Sequence, residues 1–597
     1  MTGITPHWIK RNETSRVPNR WVFLDTEAVQ ETEHGRTLQS WRLGVTCFDN
    51  RDTKSKIWRK PEWVYHLQPE GLWKYVSGVC RAGQRTICVA HNMGYDARIS
   101  DAFRILPAMG WNLERWQVGD RSCVIRWRKN GMSLWLVDST GWLPMSLEKV
   151  GGLIDLPKQD LPEWDAAQEL WWARCHTDVA ILRRAMLDCI EWVRNDDLGN
   201  WQATAGSMAW ANWRHKHYTD RVLVHDNQDA RAAERSACYA GRCEAWKHGR
   251  LPGGKWTEWD LPLAYPRVAL DTPVPTMLRS HVKHPSIKYL SGATKGVRWL
   301  CYAHVDTDVP TLPVAHNGNI VWPVGRLEGW YWDRELTVAM DNGAKVKLSE
   351  GYRYAATYAL SDWATWIIDC VESNDERFTL LQQAVAKGWA RALIGRFGTR
   401  YRTWEDWGES ESDDVRMGYL VDYATRTVGR TLNIGGRQYA ATVETDGVES
   451  VPSIMSAIMS ECRIRLWQMM NIAGLSNVAY VDTDSLLTNP AGSRRLTEWV
   501  SQGNGWGLRQ KHTYSSLVVM GPRQLITNGK ARISGVSGKA ERTTPDTWVG
   551  ERWESAEAAI AAGRPNQVMI TPTAWTIGGT DHRRLHLPQG ATDPIRI

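Results

Sequence analysis

Tyr480-Val-Asp482-Thr-Asp484-Ser485 breaks an otherwise apolar run, Val478–Leu487, with acids one residue apart. Carboxylates placed this way repel one another and are costly to bury unless a cation lies between them. The run therefore reads as two short strands and a tight turn that present the acids as a metal platform. A helix predicted over Ile454–Met470 leads into it.

Upstream lie pieces that suit the same platform. Asp260-Leu-Pro-Leu-Ala-Tyr265-Pro266 offers a strand-end acid, then an aromatic and a chain-turning proline. Phe378–Phe397 has a helical pattern, and within it Lys387, Arg391 and Ile394 fall at i, i+4 and i+7 on one face. Two cations so spaced can grip a triphosphate; a helix like this standing alone would read as a solvated basic face.

The first 200 residues read as α/β. Trp21–Leu24 is a buried strand predicted to end at Asp25, with Arg42–Phe48 as its hairpin partner. Thr86–Ala90 and Ser133–Val137 are further buried strands, ending at His91-Asn92 and at Asp138. Asp178 is predicted to open a helix marked by Val179, Leu182, Met186, Ile190 and Val193. Acids at strand ends are what an open α/β sheet uses to build a site. Asp25 and Glu27 share one strand face, Asn92-Met-Gly-Tyr95-Asp96 adds a third carboxylate and Asp178 a fourth. Oxygen donors of this kind suit Mg²⁺, and a pair of such ions can activate water and stabilise the leaving 3′ oxygen of a phosphodiester. Each piece alone is more often a loop or a cap; their joint order raises the prior.

Beyond residue 230 the texture changes. Tyr239-Ala-Gly-Arg242 lies between segments, and Gly253-Gly254 makes a turn before Trp259-Asp260. Residues 305–375 carry short-strand patterns with turn signals (Thr311-Leu-Pro313, Asn317-Gly-Asn319, Asp341-Asn-Gly343), and Gly418–Thr445 reads as one or two hairpins around Asn433-Ile-Gly435-Gly436. A chain of 597 residues is too long for one core and suggests two to four domains. Its 43% hydrophobic and 23% charged residues are a globular balance, and a net charge of +7 permits a polyanionic partner. The 36 Trp against 5 Phe are expected to be mostly core and surface aromatics, some able to stack on bases. The 11 Cys form no CxxC pair, which argues against a zinc knuckle and for a reduced intracellular, cytoplasmic protein. No apolar signal segment or 18-residue apolar run occurs, so no membrane partner is expected.

In order, these pieces resemble the family B DNA polymerases. Asp25/Glu27, Asn92/Asp96 and Asp178 resemble the three exonuclease motifs. Asp260–Pro266 resembles the DxxSLYP motif, Lys387–Gly395 the KxxxNSxYG helix, and Tyr480–Ser485 matches YxDTDS in full. Finer features are similar to the protein-primed subgroup of phages and linear plasmids: the Tyr239–Arg242 linker, Thr204-Ala-Gly-Ser207, Lys158 after Leu156-Pro157, and Lys511 before Tyr514.

The resemblance implies an α/β, RNase H-like 3′–5′ exonuclease domain over residues 1–205. An α+β right-hand polymerase domain of palm, fingers and thumb would occupy 206–597, with insertions at about 305–375 and 400–445. Asp260, Asp482 and the main chain of Val481 would hold the polymerase metals, with Asp484 beside them. Asp25, Glu27, Asp96 and Asp178 would hold those of the exonuclease. Tyr265 would lie under the incoming sugar and exclude ribonucleotides. Lys387 and Arg391 would contact the triphosphate and Lys511 the primer terminus, while Tyr239, Asn92 and Lys158 would meet DNA. Each site would use two Mg²⁺, for which Mn²⁺ can substitute. The implied partners of a monomeric enzyme are primer-template DNA, dNTPs and a terminal priming protein, the 305–375 insertion serving processivity, strand displacement and docking of that protein. The implied role is replication of a viral or plasmid genome.

Four departures bear on nucleotide selection and exonuclease strength. Arg391 and Ile394 replace the Asn and Tyr of the KxxxNSxYG helix, and Leu263-Ala264 replace Ser-Leu. Arg174 stands where the family has a Tyr four residues before the third exonuclease Asp, and Lys511-His-Thr-Tyr514 is one residue longer than KxY. Two other readings are a polymerase with a weakened exonuclease and a decayed, non-catalytic DNA-binding scaffold; the retained buried acids argue against the scaffold.

Overall fold

The apolar run Trp21–Leu24 lies inside a much longer strand, Arg20–Glu33, which carries Asp25 and Glu27 mid-strand rather than at its end. The computed structural model describes residues 4–119, 122–290, 296–373, 376–424, 426–441, 444–577 and 583–597. Residues 374, 375, 425, 442 and 443, within the two predicted insertions, lie outside the described residues. Strand Arg20–Glu33 pairs antiparallel with Arg36–Asn50 and parallel with Arg85–Ala90, which pairs parallel with Met132–Asp138. Strands Ser122–Lys129 and Asn112–Gly119 complete one edge of this sheet. On the other side, Arg36–Asn50 takes up a C-terminal strand, Val568–Thr576, which carries Thr547–Trp553 and Glu541–Thr544 beyond it. The last part of the chain thus joins the sheet of the first part, a link that no local pattern announced.

Helix Gln168–Asn195 covers this sheet, burying Trp171, Cys175, Asp178, Leu182 and Ile190 at helical spacing. Asp178 therefore sits in the middle of the helix and does not open it. The predicted strands at Arg42–Phe48, Thr86–Ala90 and Ser133–Val137 are present; the first extends to Arg36–Asn50, and the other two are only slightly longer than their apolar patterns.

A second, antiparallel sheet runs in the order Cys243–Ala245, Val478–Asp482, Ser485–Thr488, Trp256–Asp260, Arg509–Tyr514. Helix Pro452–Ala473 leads into its central hairpin, and helix Leu380–Phe397 begins with a capping box at Thr379.

The boundaries predicted for the first insertion are corrected. Its sheet begins at Val274–Lys283 and runs through Val297–Thr307, Gly325–Trp332 and Lys345–Thr357, with a helix at Asp333–Asp341. The strands are up to 13 residues long, not uniformly short. Residues Ser361–Glu372 are a helix whose Trp363, Ile367 and Cys370 belong to the main core. A unit cut at 305–375 would split the strand at Val297–Thr307 and remove a core helix. The second predicted insertion is a four-stranded sheet, Trp404–Glu409, Arg437–Ala441, Thr427–Ile434 and Arg416–Asp422 in spatial order.

Tryptophan holds the blocks together. Trp142 and Trp192 from the first part meet Trp389 of helix Leu380–Phe397 with ring centroids 5.7 and 5.2 Å away. One apolar core runs from Ile9 to Cys462 without a seam at residue 205.

Candidate active sites

The turn of the second sheet places Asp482 and Asp260 at one level, since both are in register with Ser485 on the strand between them. Thr483 at the turn has φ +60°, a left-handed conformation rare for a β-branched residue. The turn is held from outside: the Thr483 N–H donates to the Arg242 carbonyl at 2.7 Å. A Cβ on Gly241 would lie 2.7 Å from Thr483 Oγ1 and 2.8 Å from its Cγ2, so the glycine makes room for the hairpin. The Leu261 N–H donates to the Asp484 carbonyl at 2.9 Å, tying the Asp260 strand to the same turn. Leu263, at φ +56°, then starts the helix Ala264–Asp271 that carries Tyr265.

These elements enclose a cavity of about 370 Å³ lined by Asp260, Tyr265, Lys387, Arg391, Asp482, Asp484 and Lys511, together with Glu258, Arg509 and Arg532. Seven residues proposed from sequence thus converge from five segments. Lys387 and Arg391 are exposed on the cavity wall, whereas Ile394 on the same helix is buried in the core. Val481 is fully buried between strand partners, so only its main chain is available to a ligand. Burial, then the nearby Asp260 and Asp482, pushes Asp484 up to about 6 against the pull of Arg391 and Lys511.

The longer Lys511–Tyr514 spacing has a structural explanation. Trp259 faces Gln510 and Glu258 faces His512, so Lys511 is the extra residue of a β-bulge. The bulge turns its ammonium into the site, 3.3 Å from Asp260 and 3.5 Å from Glu258. Glu258 also meets Arg532 at 3.0 Å. Sequence reasoning missed Glu258, Arg509 and Arg532; the i−2 spacing of Glu258 from Asp260 was the one available signal.

The first site lies where helix Gln168–Asn195 crosses strand Arg20–Glu33. Asp25, Glu27 and Cys175 bring ligand atoms within 4.8 Å of one another. Cys175 was not foreseen; its thiol donates to the Asp25 carbonyl at 3.3 Å. Asp96 Oδ1 accepts from Thr26 N–H at 3.0 Å and Thr26 Oγ1 at 2.8 Å, which fixes it beneath the strand. Asp178 pairs with Lys158. Arg174 lies 3.4 Å from Glu27 and 3.8 Å from Asp178. Burial first, and then the neighbouring carboxylates, raises Asp25 well above the carboxylate range. Burial likewise takes Glu27 to about 7, against the opposing pull of Arg174, and Asp96 to about 8, against its Thr26 hydrogen bonds. A carboxylate cluster this reluctant to ionise is chemically suited to a divalent cation.

Two predicted contacts take a different form. Tyr239 is a correction: its ring is only 8% exposed and stacks on Tyr331 at 5.9 Å, while its carbonyl accepts from Arg463 at 2.8 Å. It packs the core behind the turn. Asn92 is exposed at φ +88°, capping helix Met93–Ile99 beside Asp96.

Residues 158–450 match the family described as DNA polymerase type B, organellar and viral. The chain is 21% identical over 322 residues to a probable DNA polymerase of Neurospora intermedia, covering 51% of this chain and 31% of that protein. It is 27% identical over 175 residues to a probable DNA polymerase of Podospora anserina, covering 28% of this chain and 13% of that one. It thus spans less than a third of the length of these curated relatives. Among solved structures it is similar to Phi29 DNA polymerase complexed with primer-template DNA and incoming nucleotide, with a TM-score of 0.67, 13% identity, and coverage of 94% of this chain and 100% of that one. Phi29 DNA polymerase complexed with single-stranded DNA gives the same TM-score at 14% identity, again over 94% and 100% of the two chains. The fold is an α/β block joined to a right-hand, polymerase-type block, and residues 158–450 belong to the family of type B DNA polymerases, organellar and viral.

Proposed function

We propose that the chain is a DNA-directed DNA polymerase with a 3′–5′ exonuclease, replicating a viral or plasmid genome from a terminal priming protein. One observation carries the reading: Asp260, Asp482 and Asp484 share a cavity with Lys387, Arg391 and Tyr265. In polymerisation the primer 3′ oxygen attacks the α-phosphorus of a dNTP and pyrophosphate departs. Lys387 and Arg391, rooted on one helix face, bind the triphosphate and offset its charge. Tyr265 lies under the sugar, where its ring fills the space a 2′ hydroxyl would need. Lys511, aimed by its bulge, holds the primer terminus. Two divalent cations, Mg²⁺ or Mn²⁺, would be held by Asp260, Asp482 and the Val481 carbonyl, with Asp484 beside them, and when bound they supply Lewis-acid charge. Asp25, Glu27, Asp96 and Asp178 serve the exonuclease in the same way, with Lys158 and Asn92 toward the DNA strand.

Primer extension with Mg²⁺ on a labelled primer-template tests this reading. Template-directed extension is expected; DNA binding without extension would favour a non-catalytic scaffold. A second reading, a weakened exonuclease, is favoured by the contacts of Arg174 with Glu27 and Asp178.

Processivity and docking of the priming protein are proposed for the first insertion in its corrected extent, residues 274–357. The 404–441 sheet offers a further closure around DNA. Its Met417, Leu432, Ile434 and Tyr439 pack with Phe103 and Trp116 of the first block, and its Arg430 pairs with Glu557 of the C-terminal segment. An enclosed strand leaves only when such contacts open, which lowers the off-rate. A monomer in the host cytoplasm completes the proposal.

A further inference from the structure

Behind the Asp482 turn lies a buried ion triad that the proposed chemistry leaves unused. Glu244 stands on strand Cys243–Ala245 directly opposite Val481 and is fully buried. One of its oxygens accepts from Arg242 Nε at 2.6 Å and the other from Arg584 Nη1 at 3.2 Å. Both arginine side chains are 1% exposed. A buried triad of this kind stabilises a fold no better than apolar side chains of similar volume, because desolvation offsets the attraction. What it supplies is direction, since charged forks hold their partners in one geometry.

Distant parts of the chain converge on this triad. Arg242 Nη1 donates to the Pro310 carbonyl at 2.9 Å. The same guanidinium lies 5.7, 5.1 and 5.2 Å from the rings of Trp246, Trp322 and Trp467. Pro310 and Trp322 belong to the first insertion, Trp467 to helix Pro452–Ala473. Arg584 Nε donates to Thr592 Oγ1 at 2.8 Å, and that hydroxyl donates to the Ala245 carbonyl at 2.9 Å. The segment then runs on to the insertion, where the N–H groups of Val324 and Arg326 donate to the carbonyls of Ile595 and Ile597, each at 2.9 Å. The seat is close: a Cβ on Gly325 would lie 2.1 Å from the Ile597 carbonyl oxygen. All of this ends at the turn, because the Arg242 carbonyl receives the Thr483 N–H at 2.7 Å, between Asp482 and Asp484.

We infer that Arg242 and Arg584, clamped on Glu244, are positioning residues that set the pose of the Asp482–Asp484 turn from the first insertion and from residues 584–597. The inference rests on the polymerase reading of the cavity. None of the three side chains lines that cavity. They act through the Thr483 main chain and through the strand opposite Val481. A displacement of the insertion or of the 584–597 segment thereby reaches the acids, and a misplacement of about 1 Å at reacting groups costs up to roughly 10²-fold in rate.

The test is primer extension by the full chain, titrated in Mg²⁺ and in dNTP, with the Tm of each variant. Arg584→Met leaves the Arg242–Glu244 pair intact and cuts the tie to the 584–597 segment. In that variant kcat is expected to fall about tenfold and the Mg²⁺ concentration for half-maximal rate to rise severalfold. The KM for dNTP should stay within about twofold, because Lys387 and Arg391 are untouched. Arg584→Lys keeps a cation beside Glu244 and should recover most of the loss. Thr592→Val removes only the hydroxyl between Arg584 and Ala245, and should move kcat and the Mg²⁺ requirement in the same direction by about threefold. This variant decides the matter if Arg584→Met does not fold. A lower Tm with wild-type kcat and wild-type Mg²⁺ dependence would make the triad a purely structural tie and overturn the inference. Absence of extension by the wild-type chain sinks the polymerase reading itself. Wild-type extension that neither variant alters sinks only the positioning inference.

Discussion

The two carboxylate sites differ in the room left around their acids and in how many cations face them. At the Asp482 turn the acids border a cavity of about 370 Å³ whose walls carry Lys387, Arg391 and Arg509, while Lys511 and Arg532 pair directly with Asp260 and Glu258. At Asp25 the acids lie under a helix, Asp25 half-buried and Glu27, Asp96 and Asp178 buried, and Lys158 and Arg174 contact them directly. The first arrangement leaves room for a highly charged ligand to arrive with its own counter-ions. At the second, two cations face four carboxylates, which leaves the cluster short of positive charge. On the proposed reading, the open cavity suits a triphosphate and the cluster under the helix a strand end.

The sharpest way to break the comparison is to disable one site and read the other. Asp482→Asn is expected to lower primer extension by roughly 10³-fold or more with DNA affinity retained; extension at the wild-type rate would show that the cavity is not the synthetic site. Next in size, Asp25→Ala with Glu27→Ala should cut 3′ degradation by at least roughly 10²-fold while extension stays near wild type. A parallel loss of extension would mean that the shared core, and not the separate sites, governs both activities.

Smaller effects probe how each site is held. Replacing residues 404–441 by a short Gly/Ser linker should shorten products roughly tenfold under a single-binding-event trap and leave single-nucleotide addition intact. Full-length products would remove the closure from the proposal. Gly241→Ala should displace the Asp482 turn and lower extension by about tenfold, at an overpacking cost of about 1–3 kcal/mol. Unchanged kcat with an unchanged Tm would show that the turn tolerates the extra carbon. The smallest effect is expected for Tyr265→Val, which should raise ribonucleotide use relative to deoxyribonucleotide by about severalfold. An unchanged ratio would place the ring away from the sugar.

The aromatic composition also has a structural reading. Trp142, Trp192 and Trp389 join the first block to the fingers-like helix, and the fully buried Trp residues reach from Trp21 to Trp389. Large rings at a junction bury much area for little side-chain entropy. Why tryptophan displaced phenylalanine so broadly has no explanation in the packing.

What could be read from the linear chain was whatever is local. The alternation that marks Val478–Leu487 and the i, i+4 spacing of Lys387 and Arg391 depend on neighbours within one element. So do the buried strands at Thr86–Ala90 and Ser133–Val137. Element ends were misread where burial continues past an acid, as at Asp25, or where a buried acid sits mid-helix, as at Asp178; apolar periodicity cannot distinguish an acid that ends an element from one enclosed by it. The tertiary structure alone decided that Val568–Thr576 joins the sheet of Arg36–Asn50, that Lys511 occupies a bulge facing Asp260, that Gly241 makes room for Thr483, and that Arg174 lies between Glu27 and Asp178. Each of these is a pairing between residues distant in the chain or a register set by such a pairing, and a linear pattern records which faces are apolar but not which faces meet.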